Sequence, residues 1–209
     1  MKVLIICSNP ASSIFGKRIP FKGTDCVFAN ELSKAGLTGF DCVIDLEFEE
    51  HPERISSYKK TSIPMLLGSV VYTLKELQAE ELPIARFNHW PLFINRNCIE
   101  FSTERLELFQ DIFNHWQVPF HKTADVPGFV SARTVSMIVN EAFMAGQENV
   151  SSISEMDTAM KLGTNYPHGP FEWCNEVGEK RIIQLLQKLA TEDERYQPAE
   201  SLLSYKAKN

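Results

Sequence analysis

Asp125 to Trp173 reads DVPGFVSARTVSMIVNEAFMAGQENVSSISEMDTAMKLGTNYPHGPFEW, and this stretch decides the fold. Pro127-Gly128-Phe129 forms a turn. Val135, Ile138, Val139, Ala142 and Phe143 follow at helical steps and predict one buried face of a long helix. Ser152 and Glu155 stand at capping-box spacing ahead of Met156, Ala159, Met160 and Leu162, so a second helix begins there, with Gly163 as its expected left-handed stop. Tyr166-Pro-His-Gly-Pro-Phe-Glu-Trp173 concentrates prolines, glycine and aromatics and reads as a rigid turn.

Outward from this stretch the pattern changes. Lys2–Cys7, Thr24–Ala29, Phe40–Leu46 and Ile63–Val71 are short apolar runs of strand type, Ile84–Phe101 holds two more around a Trp-Pro break, and Val118–Lys122 is a last short one. Asn30–Ala35 reads as a short helix ended by Gly36, Glu47–Lys60 as a surface helix, Glu76–Glu81 as a solvated helical turn and Glu104–Trp116 as a strongly amphipathic helix. Beyond Trp173, Glu179–Thr191 is amphipathic and Gln197–Tyr205 is a last short helix. Alternating strands and helices followed by helices alone predict an α/β domain over 1–123 and an α-helical domain over 124–209.

The chain has 209 residues, 44% of them hydrophobic, enough for a sizeable core. A net charge of −6 gives no electrostatic footprint for nucleic acid, so no DNA or RNA partner is expected. No segment approaches the roughly 20 apolar residues of a membrane span, and the expected location is the cytoplasm. The 5 cysteines, Cys7, Cys26, Cys42, Cys98 and Cys174, show neither C-x-x-C nor zinc spacing and are read as free thiols, with no metal expected.

Asp125-Val-Pro-Gly-Phe129, Asn140-Glu-Ala142, Asp157-Thr-Ala-Met-Lys-Leu-Gly163 and Tyr166-Pro-His-Gly-Pro-Phe-Glu172 occur in that order. The stretch resembles the C-terminal domain of the 3-hydroxyacyl-CoA dehydrogenases, where D-x-P-G-F, N-E-A, D-x-A-M-K-L-G and Y-P-x-G-P-F-E recur at matching spacing. Upstream, Phe87-Asn88-His-Trp-Pro91 is similar to the family's F-N-x-x-P, and Cys98-Ile-Glu-Phe101 to its L-V-E-V strand. The resemblance implies a shortened Rossmann-like domain followed by a helical domain that mediates homodimerisation. It also implies NAD-dependent oxidation of 3-hydroxyacyl-CoA in fatty-acid metabolism, with an acyl-CoA-like ligand.

The inherited chemistry transfers poorly. A dinucleotide fold places G-x-G-x-x-G directly after its first strand, where backbone amides and a helix N-terminus meet the pyrophosphate. Here Cys7-Ser-Asn-Pro-Ala-Ser-Ser-Ile-Phe-Gly16 holds no glycine before Gly16. The family's base is a histidine oriented by a glutamate, with a serine and an asparagine on the substrate oxygen. Ala85 takes the place of the histidine and Ala132 that of the asparagine, and the serine's region offers Ser69 and Thr73. Glu100 matches the glutamate, and His89 precedes it at close to the family's spacing, so a displaced His89–Glu100 dyad with Ser69 is the candidate catalytic set. His89 also reads as an ordinary histidine beside Trp90, and Glu100 as the partner of a structural arginine such as Arg133. Asp45 resembles a strand-end carboxylate, but the ribose-binding acid belongs nearer Asn30. A relative whose NAD-dependent catalysis is lost or altered and an active oxidoreductase with a remodelled NAD site both remain open.

Overall fold

The computed structural model describes residues 1–8, 23–30, 37–94 and 96–206. The loop expected to replace the glycine fingerprint lies, past Ser8, outside them, as does the helix expected over 30–35 past Asn30. The described chain forms two compact units, Met1–Phe129 and Val130–Asn209.

The first unit is built on a seven-stranded sheet: β1 (Lys2–Ile6), β2 (Asp25–Ala29), β3 (Cys42–Asp45), β4 (Met65–Gly68), β5 (Ile84–Phe87), β6 (Ile99–Ser102) and β7 (Phe120–Lys122). Their order is β2-β1-β3-β4-β5-β6-β7. Pairing is parallel except between β5 and β6. This is a Rossmann-like sheet, with its topological switch between β1 and β3 on either side of the point where strand order reverses.

Period-two alternation divides each strand between two cores. Val3, Ile5, Ile44, Leu66, Ala85 and Phe87 pack with Phe109, Phe113 and Trp116 of helix α2 (Glu107–Trp116). Leu4, Ile6, Val43, Met65, Leu67 and Ile84 face the other way, onto Phe48, Tyr58 and Leu74. Both faces are covered, which is why the strands read as continuous apolar runs.

The expected surface helix over 47–60 is replaced by two 3-10 turns, Phe48–Glu50 and Pro52–Arg54, and a four-residue helix α1 (Ile55–Tyr58). Pro52 has no amide hydrogen to continue a helix from the preceding turn. Phe48, Glu49 and Tyr58 are buried, so this segment roofs the sheet rather than lying on solvent. The strand expected over 63–71 ends at Gly68: the Ser69 amide still reaches the Phe87 carbonyl (3.4 Å), but the Val70 and Val71 amides turn to the Glu49 side chain.

The turn at Asp125–Phe129 belongs with the first unit, so the structural division falls after Phe129, whereas the sequence reading places it after 123. Arg86 is the reason. It is fully buried on the Ile84 side of β5, and its guanidinium donates to Asp125 Oδ1 (2.5 Å), to the Val126 carbonyl (2.6 Å) and to the Ser69 carbonyl (3.3 Å). Its planar face lies 4.2 Å from the Phe129 ring centroid.

The second unit contains α3 (Ser131–Gln147), α4 (Ile153–Thr164), α5 (Pro170–Val177), α6 (Glu179–Ala190) and α7 (Glu200–Ser204). The face of α3 is as the spacing predicts for Val135, Val139, Ala142 and Phe143, while Ile138 is only partly covered. Asn140 holds the C-terminal segment, accepting from the Ala199 amide (2.8 Å) and donating to the Gln197 carbonyl (2.9 Å).

The Ser152–Glu155 capping box is formed. Helix α4, however, runs through Gly163 and stops at Asn165, whose φ of 56° is left-handed. Asparagine tolerates that conformation better than other non-glycine residues, so Gly163 is not needed as the stop. The rigid turn expected over 166–173 likewise ends early. Pro170 is the first residue of α5, and Glu172 accepts from the Gly169 amide (2.9 Å).

Candidate functional site

In a sheet of this kind the carboxyl ends of the parallel strands form the ligand edge, at the switch point above all. Asp45 ends β3, Gly68 ends β4 and Phe87 ends β5, so the loops that follow them are delivered to this edge. Glu100 joins them from antiparallel β6, its carbonyl accepting from the Asn88 amide (2.9 Å).

Two carboxylates dominate the edge. Asp45 is fully buried and receives the Tyr58 hydroxyl (2.5 Å), the Arg54 guanidinium (3.1 and 3.2 Å) and the Glu47 amide (3.0 Å). Burial raises its pKa, against the lowering effect of Tyr58 and Arg54. Glu49 accepts both the Val70 and the Val71 amides on Oε1 (2.6 Å each) and the Trp90 indole on Oε2 (3.0 Å). These bonds take the Val70 and Val71 amides out of the β4 ladder.

The sequence candidates settle around this framework. His89 is buried, with Nε2 4.0 Å from Glu49 Oε2 and its ring edge-on to Phe87. A Cβ at Gly68 would lie 2.7 Å from the His89 ring, so the glycine makes room for the imidazole. Glu100 accepts from Asn88 Nδ2 (3.1 Å). The structure thus sets His89 beside Glu49 and Glu100 beside Asn88. Ser69 is buried, and its hydroxyl donates to the Tyr72 carbonyl (2.9 Å). Ala85 and Ala132 are fully buried. Arg133 donates to the Tyr196 hydroxyl in the helical unit.

Sequence reasoning missed Glu49 and Arg86. Each had a signal: a charged residue inside a buried strand, Ile84-Ala-Arg-Phe87, and an acid next to a core phenylalanine, Phe48-Glu49.

At the end of β1 the Ser8 amide donates to Glu47 Oε1. The adjacent Cys7 thiol is pushed up to about 11 by burial and by the charges of Glu47 and Asp45. Cys42 and Cys174 are buried free thiols as well, while Cys98 is exposed. Among the described residues no cluster of histidine, cysteine, aspartate and glutamate is arranged to hold a metal, and no helix is long and apolar enough to cross a membrane.

The described residues thus form a mostly parallel Rossmann-like sheet and a separate helical unit. Residues 128–208 match the model of the 3-hydroxyacyl-CoA dehydrogenase C-terminal domain. It is 49% identical over 86 residues to the 3-hydroxyadipyl-CoA dehydrogenase of Escherichia coli (strain K12), covering 40% of this chain and 18% of that protein. It is 36% identical over 88 residues to the mitochondrial hydroxyacyl-coenzyme A dehydrogenase of Homo sapiens, covering 41% of this chain and 28% of that one. The matched region therefore spans less than a third of either relative. In fold, the chain is similar to the crystal structure of (S)-3-hydroxybutyryl-CoA dehydrogenase from Ralstonia eutropha, with a TM-score of 0.76, 18% identity and coverage of 97% of this chain and 92% of that chain.

NAD is the cofactor such a family implies. At the end of β1, where a dinucleotide fold meets the pyrophosphate, the Ser8 amide is bonded to Glu47, and the charges of Glu47 and Asp45 act on Cys7.

Proposed function

We propose that this protein is a 3-hydroxyacyl-CoA dehydrogenase relative, located in the cytoplasm, in which NAD-dependent catalysis is lost or altered while the helical domain is retained for packing and dimerisation, with an acyl-CoA-like ligand or a protein partner as what it binds. The observation that supports this reading most is the Ser8 amide bonded to Glu47 at the head of the cofactor loop, beside buried Asp45. An intramolecular carboxylate competes with the pyrophosphate for that donor and repels it.

Titration calorimetry with NADH and with acetoacetyl-CoA, followed by an absorbance assay of NADH consumption, is the deciding experiment. The expected result is no NADH binding at millimolar concentration and no turnover. Saturable NADH binding with turnover abolished by His89→Ala would overturn the reading. It would establish the second one, an active NAD-dependent oxidoreductase on 3-hydroxyacyl-CoA, which the names of the relatives support.

The homodimer is proposed to form through α3 and α4. No residue of α4 is buried within its own chain, and Leu162 is 82% exposed. An open apolar groove of about 540 Å³ is lined by Met137, Ile138, Ala142, Ala145, Met156 and Met160. Burying this face on a second copy would give α4 the packing that a helix of its length needs in water. Sedimentation velocity at micromolar concentration is expected to show a dimer, and Met160→Glu a folded monomer by circular dichroism. A monomeric wild type at the highest soluble concentration sinks the proposal.

A further inference from the structure

Glu49 is held unlike any other acid on the edge. Its donors come from the ends of two neighbouring parallel strands: consecutive backbone amides of Val70 and Val71 after β4, and the Trp90 indole after β5. His89 Nε2 lies 4.0 Å from the same carboxylate, and the side chains of Glu49 and His89 are 4% and 5% exposed. Two consecutive amides aimed at one oxygen, with an indole N–H on the other, make a complete receptor for a carboxylate group. The acid itself is supplied by a three-residue 3-10 turn, Phe48–Glu50, which has no side-chain cap.

We infer that Val70, Val71, Trp90 and His89 form a carboxylate-binding site at the ligand edge of the sheet, closed in the resting protein by Glu49 as a built-in competitor. The ligand class is a small carboxylic acid. Its carboxylate takes the same three N–H donors when the Phe48–Glu50 turn moves aside. Because Glu49 is tethered to the receptor, it competes at an effective concentration on the order of millimolar or higher, so free acids bind the resting protein weakly. Removing the Glu49 carboxylate unmasks the site. The inference does not depend on the fate of the dinucleotide, whose region is governed by Glu47 and Asp45.

The test uses the full chain as wild type and as Glu49→Ala, with formate, acetate and chloride at equal ionic strength. Glu49→Ala leaves buried N–H donors without their acceptor and is expected to lower the thermal midpoint by about 5 °C or more. Formate and acetate are expected to restore it saturably and chloride is not. The affinity of Glu49→Ala for formate is expected to exceed that of the wild type by about tenfold or more. Should Glu49→Ala fail to fold, Glu49→Gln retains the packing. In its heteronuclear NMR spectrum the Val70 and Val71 amides and the Trp90 indole N–H, assigned with Trp90→Phe, are expected to shift saturably with formate. Rescue or shifts no greater than those produced by chloride overturn the inference, as does equal formate affinity in variant and wild type. NADH titrations read the proposed function separately, so failure of either leaves the other standing.

Discussion

Arg86→Met is expected to destabilise the α/β unit by about 3–5 kcal/mol, the cost typical of breaking one side of a buried ion pair. The arginine has no exposed surface, and burial lowers its pKa against the raising effect of Asp125. It is held as a cation by three acceptors: Asp125 Oδ1, the Val126 carbonyl and the Ser69 carbonyl. Methionine fills the aliphatic volume but satisfies none of them. Asp125 would retain the Lys75 amide (3.2 Å). The two carbonyls would lose the donor that now joins them, and the turn at Asp125–Phe129 would lose its side-chain tie to β5, keeping the Gly128 amide on the Val70 carbonyl (2.8 Å). Arg86→Lys separates charge from geometry. A lysine keeps the cation but cannot reproduce the planar fork or the stacking on Phe129, so an intermediate loss is expected. Denaturant unfolding followed by tryptophan fluorescence measures both variants. A loss below about 1 kcal/mol for Arg86→Met would show that the buried pair contributes no more than an exposed one.

This residue also shows where sequence reading stops. Val3, Leu4, Ile5 and Ile6 announce a strand buried on both faces because period-two alternation is a local property of the chain. The helices α2, α3 and α6 were legible for the same reason, each carrying its own apolar face. Arg86 and Asp125 lie 39 positions apart, and nothing in either neighbourhood names the other. Glu49 is the stronger case. Its partners are 21, 22 and 41 positions away, and in its own window it looks like one more acid in Glu47-Phe-Glu-Glu50. A solvent-facing helix was the natural reading of 47–60 because charge normally marks the exposed face. The structure reverses it by satisfying Asp45 with Arg54 and Tyr58, and Glu49 with backbone amides, so that charged residues serve as core. The candidate site was legible as a set of residue types near β4 and β5. His89 was recognised and Glu49, the carboxylate beside it, was not, because loop conformation decides which carboxylate an imidazole meets.

The motif that fixed the helical domain was legible because its contacts are nearly local, and its physical content is expected to appear as a coupling between Asp157 and Gly169. Gly169 precedes α5, and a Cβ placed there would fall on Asp157 Oδ1, Cβ and Cγ at clash distance. Asp157 Oδ1 cannot retreat without loss, since it accepts the Phe171 amide (2.9 Å), one of the donors that the first turn of α5 cannot satisfy within the helix. Burial raises the Asp157 pKa, and the Phe171 amide opposes that shift by favouring the carboxylate. Gly169→Ala therefore sets overpacking against loss of a helix-terminal hydrogen bond, and a destabilisation of about 1–3 kcal/mol is expected. Asp157→Ala removes the acceptor of the first-turn amides without adding a clash and is expected to cost about 1 kcal/mol. In the double variant the Cγ and Oδ1 of residue 157 are gone and only its Cβ still faces the methyl at 169, so part of the obstruction is relieved. The double variant is expected to lose less than the sum of the two single losses by about 1 kcal/mol or more, within the range of contacting pairs. Urea unfolding of all four proteins, followed by helical circular dichroism, completes the cycle. Simple additivity would show that the backbone at Gly169 yields to a methyl group without involving Asp157, and the D-x-A-M-K-L-G and G-P-F-E segments would then be held together by something other than this contact.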